Sequence, residues 1–278
     1  MKRFSKTICA MLVLSLAFTF AGCNGMVIGE PTPPTSATTT ESTTQTTTTS
    51  TTTASTEKPS AAATKKPTTT TTTAVQGYPY AYAGFDPIET DMSVPFNLIL
   101  LNCDHRLPDG YVPKLKTAVD GYAATLDYRV APFYRQMYDA ALLDGITLVP
   151  VSGYRSFARQ KRNFENYIAT YKKQGMSKVD ATIKASQIVL LPGTSEHNAG
   201  LAMDICSLEV SFENTKEFRW LDAHAHEYGF IMRYPKDKTH ITKITYEPWH
   251  YRYVGVEHAM EMKRLDLCFE EYWEYLLS

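Results

Sequence analysis

The chain has 278 residues, 44% of them hydrophobic, with 28 Lys and Arg against 29 Asp and Glu. Six of the basic and three of the acidic residues precede residue 77, so the remainder carries a net charge of −4. Because no basic stripe is present, we expect no nucleic-acid partner. Cys103, Cys206 and Cys268 follow residue 76. Their odd number and the lack of a Cys-x-x-Cys spacing argue against a fully paired framework and a cysteine zinc site, and leave one disulfide open.

The first 22 residues have the composition of a secretory signal peptide. The basic segment MKRFSK precedes an apolar run, ICAMLVLSLAFTFA, which is short for a transmembrane helix. The next segment, FAGC, ends at Cys23 and resembles a bacterial lipobox, although Phe20 stands where leucine is usual. We predict a signal peptide at 1–22 and lipidation of Cys23, with an ordinary secretory signal as the alternative. Two acyl chains would provide a stable membrane anchor.

Residues 23–76 consist almost entirely of Thr, Ser, Ala and Pro. Such a segment has little apolar surface to bury, so it predicts a disordered, lipid-anchored linker of up to about 170 Å when fully stretched. Residues 77–278 then have the length of one domain with an ample core. From these features we expect the domain to lie outside the cytoplasm, at the outer face of a bacterial cell membrane.

Hydrophobic periodicity and end signals predict five helices in this domain. A capping-box pattern joins Ser177 to Asp180, a similar one joins Asn214 to Glu217, and Asp266 precedes the closing helix. The predicted helices are residues 130–145, 157–175, 177–191, 214–229 and 269–277. The predicted strands are residues 146–154, 200–205 and parts of 240–254. Helices alternating with a few strands predict an α+β domain with a small antiparallel sheet flanked by helices.

The segment SEHNAGLAMDI (195–205) places a histidine and an aspartate seven positions apart, around Gly200. A catalytic zinc ion takes three protein ligands, commonly His and carboxylate, and leaves one position open. Gly200 permits a turn after His197, and the following strand would present Asp204. The alternative is a buried strand with polar ends, which this segment alone does not exclude.

A further histidine and a carboxylate occur in YEPWHYRYVG (246–255). Glu247 and His250 are three apart and would face opposite sides of a regular strand. Pro248 restricts the residue before it and cannot donate to a strand ladder. A bend at Pro248 could therefore direct both side chains into one cleft and supply a third ligand and a general base.

Three motifs now carry a family resemblance. They are S-x-H-x-x-G-x-A-x-D from Ser195 to Asp204, E-P-W-H-x-R from Glu247 to Arg252, and S-G-Y-R-S-x-x-x-Q from Ser152 to Gln160. Their order and internal spacings resemble those of VanY-type carboxypeptidases over roughly residues 95–278. These are zinc D-alanyl-D-alanine carboxypeptidases with a hedgehog-like zinc peptidase fold, and close relatives act as L,D-carboxypeptidases on peptidoglycan stems.

The resemblance implies one Zn²⁺ per domain and a role for each matching residue. It implies His197, Asp204 and His250 as zinc ligands, Glu247 as general base and then acid, Arg155 as a catalytic and substrate-binding residue, and Gln160 and Ser195 as further substrate contacts. An arginine suits a carboxypeptidase because its guanidinium holds a carboxylate through two parallel hydrogen bonds. Ser195 as a capping residue and Gln160 as a solvated helix position are the structural alternatives.

The expected function is removal of the C-terminal D-alanine from peptidoglycan stem peptides, with D,D-cleavage favoured. L,D-cleavage of tetrapeptide stems is the enzymatic alternative, since the motifs do not encode the chirality of the residue before the cut. A catalytically silent wall-binding or signalling domain is the alternative of another class. Its discriminating feature would be a missing ligand or base, and here all four residues are present. We expect a monomer.

Overall fold

The computed structural model describes residue 82 and residues 84–278. The predicted signal peptide (1–22), the lipidated Cys23 and the linker (23–76) lie outside these residues, so they stay predictions. Over the described range, no helix has both the length and the hydropathy that a bilayer crossing requires.

Helices and short strands alternate along the described chain, as expected for an α+β domain. The helices are α1 (Ala131–Leu143), α2 (Phe157–Lys173), α3 (Lys178–Ser186), α4 (Lys216–His224), α5 (Thr239–Thr242), α6 (Val256–Leu265) and α7 (Phe269–Leu277). Single 3-10 turns occupy Glu196–Ala199, Val210–Asn214 and Ala225–Tyr228. The strands are β1 (Ile88–Glu89), β2 (His105–Arg106), β3 (Leu115–Thr117), β4 (Thr125–Asp127), β5 (Pro150–Ser152), β6 (Ala202–Ile205), β7 (Phe230–Met232) and β8 (His250–Tyr253).

The central element is a four-stranded sheet with the order β5-β6-β8-β7, in which every neighbouring pair is antiparallel. The predicted small antiparallel sheet is therefore confirmed. Two-stranded pairs, β3 with β4 and β1 with β2, accompany it, and the β1–β2 pair is parallel. Strand β6 lies between β5 and β8, so a side chain near its end can meet partners from both neighbours.

Helix α1 packs the face that carries Ala131, Tyr134, Met137, Tyr138 and Ala141 into the main core. Of two neighbouring aromatic residues on this helix, Phe133 is only half-buried while Tyr134 is fully buried. The reason is polar as well as apolar, because the Tyr134 hydroxyl donates a hydrogen bond of 2.9 Å to the carbonyl oxygen of Leu148.

Several predicted element ends differ from the structure. Helix α3 begins with the predicted cap, as the Asp180 amide donates to Ser177 Oγ at 3.1 Å, but it ends at Ser186 rather than near residue 191. Helix α4 is capped by Thr215 instead of Asn214, since the Thr215 hydroxyl accepts from the Phe218 amide at 3.2 Å. The boundary errors are local and leave the predicted order of these elements intact.

The end of the chain departs further from the sequence prediction. Asp266 does not begin the last helix: its backbone is left-handed, with φ of 55°, and it ends α6, a helix that the periodicity did not predict. The last helix, α7, is capped at Cys268, whose amide donates to Glu271 at 2.9 Å. Residues 240–254 form one four-residue strand, β8, preceded by the short helix α5 and a turn.

Candidate active site

Three side chains, one from each of the three motifs, lie in one row across the central sheet. Asp204 on β6 pairs with Ser152 on β5 and with His250 on β8. The strand register thereby brings one residue of each of the three motifs side by side, although neighbouring motifs are about 50 positions apart in the sequence. Ala202 and Asp204 are two residues apart on β6 and therefore share a face of the sheet.

The turn Glu196–Ala199 carries His197 to the same row. It ends at Gly200, whose φ of 68° is left-handed. A Cβ at Gly200 would lie 2.7 Å from the backbone nitrogen of Asp127, so glycine is required both by conformation and by space. The turn is also fixed from the side: Asn198 Nδ2 donates to the Arg155 carbonyl oxygen at 2.6 Å, and Asn198 Oδ1 accepts from the Gly193 amide at 2.8 Å.

Each imidazole has one nitrogen engaged by the protein and the other facing Asp204. His197 Nδ1 lies 2.7 Å from the Gly153 carbonyl oxygen, which can only accept, so Nδ1 carries a proton and Nε2 faces Asp204. His250 Nε2 lies 3.3 Å from the Glu196 carboxylate, which leaves Nδ1 toward Asp204. Such hydrogen bonds from the far nitrogen are how proteins orient metal-binding histidines.

His197 Nε2, His250 Nδ1 and the Asp204 carboxylate have distances that suit the ligand atoms of a tetrahedral metal site. The ligand atoms of His197, Asp204 and His250 all lie within 4.8 Å of one another, and all three residues are buried. His197 Nε2 is 3.3 Å from Asp204 Oδ2, and His250 Nδ1 is 3.1 Å from Asp204 Oδ1. Zinc bonds of about 2.0–2.1 Å in a tetrahedron place ligand atoms about 3.3 Å apart. The donor set and spacing therefore fit Zn²⁺.

The protonation tendencies of the three residues follow from their contacts. Burial alone would raise the pKa of Asp204, but the two imidazoles hold it well below its usual range. Burial lowers the pKa of His197, which favours the neutral form that binds metals. Burial also opposes charge on His250, yet hydrogen bonds to Asp204 and Glu196 raise its pKa to about 9. A metal ion must therefore displace a proton from His250 Nδ1.

Glu247 reaches this cluster through the predicted bend. Residues 248 and 249 form a turn in which the His250 amide donates to the Glu247 carbonyl oxygen at 3.2 Å. The Glu247 carboxylate is buried and lies 3.7 Å from His250 Nδ1. Burial raises the pKa of Glu247 to about 8, with His250 opposing the shift. A bound divalent cation would lower this pKa again, toward the carboxylate form that a base needs.

The structure also brings Arg155 and Gln160 together beside Asp204. Arg155 Nη1 donates to Gln160 Oε1 at 2.9 Å, Nη2 donates to Ser152 Oγ at 3.2 Å, and Nη2 lies 3.5 Å from Asp204 Oδ2. Gln160 is completely buried, and its Nε2 donates to the Leu190 carbonyl oxygen at 2.6 Å. Both ends of this amide thus have protein partners, so Gln160 supports Arg155, and its predicted contact with substrate stays a prediction.

Two polar groups near the metal position have no such partner. The buried Nε of Arg155 makes no hydrogen bond within the part of the chain that the structure describes. Ser195 begins the turn that carries His197, but its hydroxyl caps no backbone amide there. Donors left unpaired in a buried site favour a role in binding a ligand.

Sequence reasoning missed three supporting residues. Glu196 and Gly153 fix the imidazoles, and Asn198 ties the metal-binding turn to the loop of Arg155. All three lie inside the recognised motifs, but Gly153 acts through its backbone carbonyl, and the partners of Glu196 and Asn198 include atoms of other segments, which the sequence pattern does not display. Taken as a whole, a His-Asp-His cluster with an adjacent carboxylate and arginine is the site of a metal-dependent hydrolase.

Comparison with known proteins identifies the family. Residues 123–256 match the VanY family, described as D-alanyl-D-alanine carboxypeptidase. The chain is 40% identical over 177 residues to a D-alanyl-D-alanine carboxypeptidase of Enterococcus faecalis, covering 64% of this chain and 65% of that protein. It is 38% identical over 203 residues to the putative carboxypeptidase YodJ of Bacillus subtilis, covering 68% of this chain and 71% of that protein. The chain thus spans slightly less than two thirds of the enterococcal protein.

Solved structures give the same result. A vancomycin resistance D,D-pentapeptidase VanY, solved as a mutant in complex with Zn(II), is 38% identical, with 64% of this chain and 99% of that chain covered and a TM-score of 0.57. VanYB in complex with D-alanine-D-alanine is 38% identical, with 65% and 98% covered and a TM-score of 0.59. The LD-carboxypeptidase LdcB is 35% identical, with 71% and 94% covered and a TM-score of 0.57. The chain belongs to the VanY family of carboxypeptidases.

Proposed function

We propose that the protein is a zinc-dependent carboxypeptidase that removes the C-terminal D-alanine from peptidoglycan stem peptides by D,D-cleavage. The observation that carries the proposal is the convergence of His197, Asp204 and His250, with the Glu247 carboxylate 3.7 Å from His250 Nδ1. The Zn(II) and D-alanine-D-alanine complexes of two VanY relatives support the choice of metal and substrate.

Glu247 performs the proton transfers in this proposal. When bound, zinc supplies Lewis acidity and makes a neighbouring water more acidic. The Glu247 carboxylate accepts the proton that the attacking water loses and then delivers it to the departing amine. Burial raises the pKa of Glu247 and a bound cation would lower it, and these opposing effects suit a group that must both accept and return a proton near neutral pH.

Arg155 and Ser195 hold the substrate. The 3.5 Å approach of Arg155 to Asp204 places its guanidinium next to the metal position, where it can stabilise negative charge that develops on the scissile carbonyl oxygen. The Ser195 hydroxyl is a donor for the substrate's terminal residue. Gln160 acts here by fixing the rotamer of Arg155, since both ends of its amide are bonded to the protein.

A second candidate is L,D-cleavage of tetrapeptide stems, favoured by the 35% identity to the LD-carboxypeptidase LdcB. The two functions differ in the chirality of the residue before the scissile bond. Incubating the purified, zinc-loaded protein with matched penta- and tetrapeptide stems, and following alanine release by mass spectrometry, separates them. We expect alanine from the pentapeptide first, loss of release on chelation, and recovery with added zinc.

Release from the tetrapeptide alone would assign the L,D-activity instead. Release from neither peptide by a zinc-loaded, folded protein would contradict both activities and leave the wall-binding alternative. The presence of all four residues of the metal and base set argues against that alternative, because a silent relative has no need to retain the base.

We further propose that Cys23 anchors the protein to the outer face of the cell membrane, with residues 23–76 as the linker. The support is the signal-like composition of residues 1–22 and the lipobox-like FAGC. A Cys23→Ser variant should move from the membrane fraction to the soluble fraction and lose labelling by a palmitate analogue. Retention of both properties would contradict the anchor.

A further inference from the structure

The carboxylate of Glu196 is buried beneath the metal site and makes three ionic contacts. Glu196 Oε1 accepts from Arg233 Nε at 2.7 Å and from Arg252 Nη1 at 2.9 Å. Its other oxygen, Oε2, lies 3.3 Å from His250 Nε2. One carboxylate thus joins two buried arginines to a metal-binding imidazole.

The two arginines are themselves held by several bonds. Arg252 donates through Nε to the Tyr253 carbonyl oxygen and through Nη2 to the carbonyl oxygens of Asn97 and Ile99. Arg233 donates through Nη1 and Nη2 to both oxygens of Glu270 on α7, at 2.7 and 2.6 Å. Glu196, Arg233, Arg252 and Glu270 form what we call the ion cluster, in which two positive and two negative charges balance. The position of the Glu196 carboxylate is therefore strongly constrained.

The constraint has a direct effect on His250. Because a carboxylate can only accept, its contact with Nε2 keeps an imidazole proton there, so Nδ1, which faces Asp204, is the nitrogen that gives up its proton and offers its lone pair to a metal ion. The same contact resists rotation of the ring. We propose that Glu196 is a positioning residue for zinc, which selects the metal-binding tautomer of His250 and fixes its ring. This inference rests on the proposed zinc site.

A purely structural role for Glu196 is the competing explanation, and Glu270 offers a matched control. Both carboxylates bind Arg233 within the same ion cluster, but in the described structure Glu196 contacts His250 whereas Glu270 contacts Arg233 and Asn102. Removing either charge leaves the cluster with one positive charge in excess, and both changes should destabilise the fold. Only the change at Glu196 removes the hydrogen bond behind a metal ligand.

The test is the zinc dissociation constant of the full-length protein, measured by competition with a chromophoric chelator at a temperature where every variant is folded. Loss of a partner behind a metal-binding histidine typically weakens metal binding about 10- to 100-fold. We expect at least a tenfold loss for Glu196→Gln and less than a threefold change for Glu270→Gln, with lower thermal stability in both. If wild-type protein binds no zinc, the proposed function fails before the variants are compared.

Zinc binding by Glu196→Gln at the wild-type level would overturn the positioning role, as would an equal loss in Glu270→Gln. If Glu196→Gln does not fold, Glu196→Asp replaces it, because aspartate keeps the charge beside the arginines but withdraws the carboxylate from His250 by one methylene. We then expect a folded protein with zinc binding weakened at least fivefold. Unchanged zinc binding in a folded Glu196→Asp protein would also overturn the inference.

Discussion

Two buried polar regions meet at His250 and differ in how completely their groups are bonded. In the ion cluster, Nε, Nη1 and Nη2 of both Arg233 and Arg252 all donate hydrogen bonds. In the second region, the metal cluster, two imidazole nitrogens converge on one carboxylate, and the buried Nε of Arg155 has no partner within the described range. The metal cluster consists of His197, Asp204, His250 and Glu247, and Arg155 lies beside it, 3.5 Å from Asp204.

The difference separates a structural role from a chemical one. In the ion cluster every nitrogen of both guanidinium groups donates to the protein, so its charges serve to fix neighbouring groups. The metal cluster is incomplete without a ligand, because three donor groups share a space that a cation would fill. Burial and perturbed pKa values occur in both regions and do not distinguish them. The two regions differ instead in whether their polar groups have protein partners within the described residues.

The strongest test of the metal cluster is Glu247→Gln. The amide keeps the size of the side chain but cannot accept and return a proton, so kcat on a pentapeptide stem should fall about 10²- to 10⁴-fold. Zinc content, measured by atomic emission, should stay at one ion per chain because Glu247 is not among the three ligands. Wild-type turnover in this variant would remove Glu247 from the mechanism.

The strongest test of the ion cluster is Arg252→Met, which keeps much of the side-chain volume and removes the charge. Glu196 would lose one of its two arginines, and breaking a buried pair in this way costs about 3–5 kcal/mol. Urea unfolding of the protein measures the loss. Arg264→Met is the control, because Arg264 is 64% exposed and pairs with Glu261 at the surface. A similar, small change in both variants would contradict a structural role for the ion cluster.

Acid should weaken the ion cluster as well. Burial opposes ionisation of Glu196 and Glu270, but the neighbouring Arg233 and other donors hold the pKa of each below its usual range. Groups with a lowered folded-state pKa contribute stability above the unfolded value, which is about 4.3, and lose it as the pH falls further. The part of the unfolding free energy that these two carboxylates contribute should therefore be steady above about pH 5.5 and fall steeply below about pH 4.5. Urea unfolding across this range checks the slope, which Glu270→Gln should reduce.

A smaller effect is expected from Gly153→Ala, which tests the support behind His197. A Cβ at this position would lie 2.1 Å from the Thr125 carbonyl oxygen, so the strand end must move. Such crowding costs about 1–3 kcal/mol, and the displaced Gly153 carbonyl would no longer hold His197 Nδ1 in place. Both unfolding free energy and zinc affinity should fall. Val151→Ala, at a half-exposed position on β5, should change neither by more than a small amount.

The motifs contain all four residues of the metal cluster and give each a role, whereas they contain only Glu196 and Arg252 of the ion cluster and give these two no role. His197, Asp204, Glu247 and His250 lie in short motifs with fixed spacing, and the resemblance assigns them together. The charged residues of the ion cluster are spread from 196 to 270 and are joined only by the fold, through the β8 register and the docking of α7. Arg233 and Glu270 lie outside the motifs, and the motif position of Arg252 does not by itself indicate that its side chain is buried.

The fold shows the same division between local and long-range information. The Ser177 cap and the bend at Pro248 follow from nearby residues, and both are confirmed. The left-handed Asp266 and the helix that it ends were missed, because the α6 face is buried by partners on other segments rather than by a clear periodicity of its own. The family prediction is confirmed, because the three short motifs contain residues that the fold brings into contact from distant parts of the sequence.

The smallest effect should come from an ion pair at the surface. Asp139 accepts from Arg135 Nε at 2.8 Å one turn away on α1, and both side chains are about half exposed. Water screens such a pair and side-chain entropy opposes it, so Asp139→Asn should lower the free energy of unfolding by only about 0.3–0.5 kcal/mol, and by less at high salt. Urea unfolding at low and high ionic strength measures both values. A loss above about 1 kcal/mol would mean that burial is not what separates the ion cluster from ordinary charge pairs in this protein.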